Sequence, residues 1–90
     1  MRKVYVVEGS TGEYSDHREW MVAAYLSEAS AANRVKECQA FANELFPRRN
    51  EEWEDREKWE ALIKSGPDPS MQFDYTGTRY NIYPVDLVDG

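Results

Sequence analysis

Trp20-Met21-Val22-Ala23-Ala24-Tyr25-Leu26, running through Ser27 into a long stretch that ends near Phe46, decides the fold of this chain. Alternation puts Trp20, Val22, Ala24 and Leu26 on one face of a strand and Met21, Ala23 and Tyr25 on the other. Ser27 is placed to cap a helix, with Glu28 in the first turn, where its charge favours the helix dipole. Beyond it Ala31, Val35, Cys38, Ala42 and Leu45 recur at helical spacing as one apolar stripe, while Arg34, Lys36, Glu37 and Glu44 lie on the opposite side. Pro47 stops this helix, since it disfavours helical dihedrals in the residue before it and has no N–H to donate.

Working outward, Val4-Tyr5-Val6-Val7 reads as a first strand, with Val4 and Val6 facing one way and Tyr5 and Val7 the other. The polar connection from Gly9 to Glu19 makes it an antiparallel partner of the Trp20 strand. Asn50 is placed to cap a second helix opened by Glu51, Glu52 and Glu54, with Trp53, Arg56, Trp59, Leu62 and Ile63 over about half its circumference. Ser65, Gly66 as a left-handed cap and Pro67 end it. Gly66-Pro67-Asp68-Pro69-Ser70 is a stiff loop. Met71 to Tyr75 and Arg79 to Tyr83, separated by Thr76-Gly77-Thr78, read as a C-terminal hairpin, and Pro84 confines the last strand to an edge or ends its pairing.

The expected fold is therefore α+β. An antiparallel sheet, made of an N-terminal hairpin plus a C-terminal strand or hairpin, carries two helices packed on one face. A chain of 90 residues, 41% hydrophobic and 31% charged, holds one modest core, so residues 1–90 form a single domain. Three Trp, six Tyr and three Phe are too many rings to bury in so small a core, so some of them face solvent.

The net charge of −6 is spread along the chain. Residues 1–46 carry five Lys and Arg against seven Asp and Glu, residues 47–66 five against six, and residues 67–90 one against four. No segment offers the concentrated positive face that a phosphate backbone needs, so direct nucleic-acid binding is not expected. An acidic surface instead favours a partner protein with a basic surface. The single cysteine, Cys38, excludes an intrachain disulfide and reads as a buried thiol. No apolar run reaches signal-peptide or transmembrane length, which predicts a cytoplasmic protein without membrane association.

Catalytic signatures are absent from the sequence. Asp16, His17 and Glu19 have metal-binding chemistry, but neighbours in an extended segment point in opposing directions and no second cluster supports them. Gly9-Ser10-Thr11-Gly12 lacks the lysine of a phosphate loop and leads to a strand, not a helix, so it is turn chemistry. No enzyme activity, metal or cofactor is expected. The candidate partner-binding residues are Glu13, Tyr14 and Asp16 in the hairpin loop and Glu51, Glu52, Trp53, Glu54 and Asp55 on the second helix, where a tryptophan ringed by acids suits a basic partner.

Lys3-Val4-Tyr5-Val6-Val7, Thr11-Gly12-Glu13-Tyr14-Ser15-Asp16 and Val22-Ala23-Ala24-Tyr25-Leu26, with the Glu- and Ala-rich helix after them, resemble short proteins encoded by bacteriophages and prophages. The likeness covers about the first half of the chain. It implies the fold and a bacterial host, and by analogy of class an inhibitor of a host defence complex, as anti-CRISPR proteins are. The expected function is that of a small acidic phage accessory protein that binds and inhibits a host protein. The alternative is a structural module that buries its spare aromatics in a homodimer.

Overall fold

A computed structural model describes residues 2–13, 15, 17–48, 56–73 and 77–88. Strand β1 spans Arg2–Thr11 and β2 spans Arg18–Tyr25; helix α1 spans Glu28–Leu45, α2 Arg56–Lys64 and strand β3 Thr78–Leu87. The three strands form one antiparallel sheet in the order β2-β1-β3. The fold is α+β, as the sequence predicts.

β1 is the central strand, and its Val4–Val7 stretch is apolar on both faces. β3 pairs with it along its whole length, from Arg2 opposite Leu87 to Thr11 opposite Thr78, so the sheet joins both ends of the described chain. β3 is an edge strand, which is why Pro84 can sit within it opposite Tyr5 without breaking a ladder on both sides. Pairing continues past the proline to Leu87.

The core lies between one sheet face and the helices. Val7 and Tyr80 from the sheet meet Ala31, Cys38, Ala42 and Leu45 of α1, together with Ile63 of α2 and Met71. The predicted helical stripe is the buried one, with Val35 half-buried beside it. The Ser27 side chain accepts a hydrogen bond from Ser30 N at 3.3 Å and caps α1. Beyond Leu45 the chain tightens into a 3-10 turn, Phe46–Arg48, around Pro47.

Three expectations are corrected. First, β2 does not alternate along its length. Val7 lies opposite Ala23 while Glu8 lies opposite Met21, so Val22 is an extra residue, a β-bulge. One inserted residue reverses the facing of everything beyond it. Trp20, Val22 and Tyr25 therefore all lie towards the helices, and Met21, Ala24 and Leu26 are exposed. Second, Met71–Phe73 is not a strand. Met71 N donates to Asp68 O at 3.1 Å in a turn, its side chain plugs the core, and both sides of β1 are already paired. Among its described residues the C-terminal region contributes one strand, Thr78–Leu87; Asp74 and Tyr75 lie outside the described residues.

Third, Gly66 is not in the left-handed region; among the described glycines Gly12 and Gly77 are, at φ 87° and 86°. Gly66 N closes a turn on Ile63 O at 3.1 Å, and glycine is needed there because the Phe41 ring lies where a Cβ would be, 2.6 Å away.

Candidate functional site

Of the predicted partner-binding residues, Glu13 is the one that lies in the described part of the chain. Glu13 lies in an exposed bend just after Gly12. Tyr14, Asp16, Glu51, Glu52, Trp53, Glu54 and Asp55 lie outside the described residues. The hairpin loop is shorter than the polar stretch suggested, because β1 extends through Thr11 and β2 begins at Arg18.

That loop is held by a clasp at Gly12. Arg79 Nη2 donates to the Gly12 carbonyl at 2.9 Å, and His17 Nδ1 lies 3.2 Å from the same oxygen. His17 Nε2 is 2.7 Å from Glu19 Oε1. Both ring nitrogens thus face acceptors, so both donate when the imidazole is charged. The Glu19 carboxylate first, and the Gly12 carbonyl second, raise the His17 pKa above its usual value. His17 and Glu19, read as potential metal ligands, engage each other. Among the described residues no group of three or more His, Cys, Asp or Glu is placed to hold a metal ion.

Asp68 is a node that the sequence did not reveal. It is 1% exposed, and its carboxylate accepts from Trp20 Nε1 at 2.7 Å, Tyr80 Oη at 2.8 Å and Ser70 N at 3.0 Å. The Trp20 and Tyr80 rings meet edge to face with centroids 6.5 Å apart. Trp20 lies against Gly9, where a Cβ would come within 2.5 Å of the indole. Burial, then the Asp68 hydrogen bond and charge, push the Tyr80 phenol far above its ordinary range. Burial first and the Asp68 charge second push the Cys38 thiol up to about 11. This is a closed lock: it ties the loop before Met71 to the sheet and keeps acid, phenol and thiol away from solvent. Only the turn chemistry of Asp68 between two prolines was legible, and that gives no sign of a Trp20 or Tyr80 partner.

The outward face of the sheet is different. Residues paired across an antiparallel ladder share a face, so the register sorts it into rows. Towards the hairpin loop the rows are mostly polar: Glu19, Ser10 and Arg79, then Glu8 and Asn81 beside Met21, which is 75% exposed. Towards the other end they turn apolar: Ala24, Val6 and Tyr83, then Val4 and Val85, then Arg2 and Leu87. Leu26 follows Ala24 by two residues and is 65% exposed, Val85 is 45% and Leu87 44%. The core cluster and the residues packed against it include Tyr5, Val7, Tyr80 and Ile82 but neither Val4 nor Val6, and among the described residues no helix covers this face. Tyr83 Oη donates to Glu8 Oε2 at 2.7 Å, closing the apolar band at its polar border.

Two open grooves flank α1. The larger, about 580 Å³, is bordered by Arg34, Glu37, Phe41 and Pro67. Arg34 is engaged there, donating from Nε to Tyr25 Oη and from Nη1 to Pro67 O, each at 2.9 Å. No helix among the described residues is long and apolar enough to cross a membrane.

Comparison with protein-family models, with curated proteins and with solved structures finds no match to this chain.

Proposed function

We propose that this chain is a non-enzymatic protein-binding module and that the apolar half of its open sheet face is a binding surface. The observation that carries this is the band of Val4, Val6, Ala24, Tyr83, Val85 and Leu87, presented on three strands and left uncovered by the helices. Contiguous exposed apolar area of this kind on a small domain marks an interaction site more often than scattered single residues do. Binding needs no reacting group, and the two buried groups with chemical potential, Asp68 and Cys38, are sealed inside the fold.

In its narrower form the module is a phage accessory protein that inhibits a host protein, with a basic surface of a defence complex held by the acidic stretch at Glu51, Glu52, Glu54 and Asp55. The resemblance of the first half of the chain and the net negative charge support that form. Affinity purification of the tagged chain from bacterial extract, with mass spectrometry, tests the reading. The parent retains a polypeptide, whether a host protein or an untagged copy of itself, that a Val6→Lys, Val85→Lys variant loses, beside any basic host protein that the acidic stretch alone holds in both. Equal retention by both, or none by either, removes the sheet face from the function.

A further inference from the structure

We infer that the occupant of the apolar half-face is a second copy of this chain, stacked face to face with its strands reversed. The inference rests on the proposed reading of that face as a binding surface and adds its partner and geometry.

The edges of the sheet are poor places for association. β2 is interrupted by the bulge at Val22 and β3 carries Pro84, two devices that spoil the continuous row of hydrogen-bonding groups an added strand needs. The face remains. A two-fold interface requires the same patch on both copies to be self-complementary. Along the outward side of β1 the order is Arg2, Val4, Val6, Glu8: a cation, two valines and an anion, with the charges three residues either side of Tyr5. A two-fold axis across the strands at Tyr5 lays Val4 of one copy over Val6 of the other and sets each Arg2 against the other copy's Glu8. An axis along the strands would instead stack Arg2 on Arg2 and Glu8 on Glu8. Charge therefore selects the reversed arrangement, with the slight rotation that the twist of each sheet imposes. Tyr83 holds Glu8 from its own chain at 2.7 Å, which fixes the carboxylate at the border of the band.

Size sets the strength. Three strands about 4.8 Å apart and a band about six residues long at about 3.3 Å per residue make a patch on the order of 300 Å² in projection. Two such patches amount to about 600 Å², below the roughly 1,000 Å² that a stable specific interface clears, so the dimer is weak and dissociates on dilution.

Sedimentation of the purified full chain over a range reaching about 1 mM tests this. The expected result is a reversible monomer–dimer equilibrium. Because the Arg2–Glu8 contact occurs twice, Arg2→Glu weakens it by about tenfold or more, as does Glu8→Arg. The doubly swapped variant recovers most of the loss, which neither misfolding nor a non-specific apolar association would produce. A strict monomer at the highest concentration overturns the inference, as does a dimer indifferent to both single reversals or a double variant as weak as the singles. Host-protein capture that still depends on Val6 and Val85 in a strictly monomeric chain leaves the binding-surface reading standing while the second copy falls. Neither self-association nor capture removes both.

Discussion

Asp68 is the residue whose loss the fold should feel most. Its carboxylate satisfies an indole N–H, a phenol O–H and a backbone N–H in a site closed to water. Asp68→Ala leaves two side-chain donors buried without acceptors, and each such group costs about 1–3 kcal/mol on top of the cavity. A loss of about 3–5 kcal/mol in urea unfolding is expected, a large part of the roughly 5–13 kcal/mol a domain of this size has. Tyr80→Phe removes one donor together with its hydrogen bond and should cost about 1–2 kcal/mol. A loss under about 1 kcal/mol for Asp68→Ala would mean that water replaces the carboxylate and that the lock is not closed. Gly66 offers a second test at this scale. Its dihedrals are ordinary and its constraint is the Phe41 ring, so Gly66→Ala should cost about 1–3 kcal/mol by overpacking. In a Phe41→Leu background the penalty should shrink by about 1 kcal/mol, a coupling that a left-handed cap would not show.

Among the elements, the β1–β2 hairpin carries both the pH-dependent feature and the clearest limit of sequence reading. His17 bridges the Gly12 carbonyl and the Glu19 carboxylate, and both contacts favour the charged ring. Its folded pKa is raised, so the contribution of the clasp is fully present below the unfolded value of about 6.5 and is lost as pH rises through the higher folded value. An NMR titration should place the His17 midpoint above about 6.5 and move it down in Glu19→Gln. A midpoint at or below the ordinary value would show that the clasp does not form in solution. The α1 stripe and the facing of β1 were legible because helical spacing and short strict alternation are local signals. The facing of β2 was not: nothing within Trp20–Leu26 announces that Val22 is surplus, since a bulge is defined by the partner strand. Asp68 escaped for the same reason, its partners lying 48 and 12 residues away. Met71 was read into a hairpin because an apolar residue near a turn looks alike in a strand and in a core plug.

At the scale of the whole molecule, the apolar half-face and the acidic run of the sequence make different predictions, and the difference can be measured. The net charge of −6 is spread along the sequence, and Glu51, Glu52, Glu54 and Asp55 belong to its densest acidic run. On the proposed reading, the acidic run steers towards a basic partner and the apolar half-face carries self-association. Reversing those four acids to Lys moves eight units of charge and takes the chain from −6 to +2. It should abolish retention of a basic host protein and leave dimerisation through Val4, Val6 and Val85 in place. Salt should divide the two in the same way. Raising ionic strength from about 0.1 M to about 1 M shortens the screening length from about 10 Å to about 3 Å and should release the basic partner. The face-to-face pairing should weaken only by the share that its two Arg2–Glu8 contacts supply, because burial of valine and tyrosine side chains is insensitive to screening and the mutual repulsion of two −6 chains is relieved. If salt and the four reversals instead weaken both associations in parallel, a single surface serves both, and the division of labour between the sheet face and the acidic stretch is wrong.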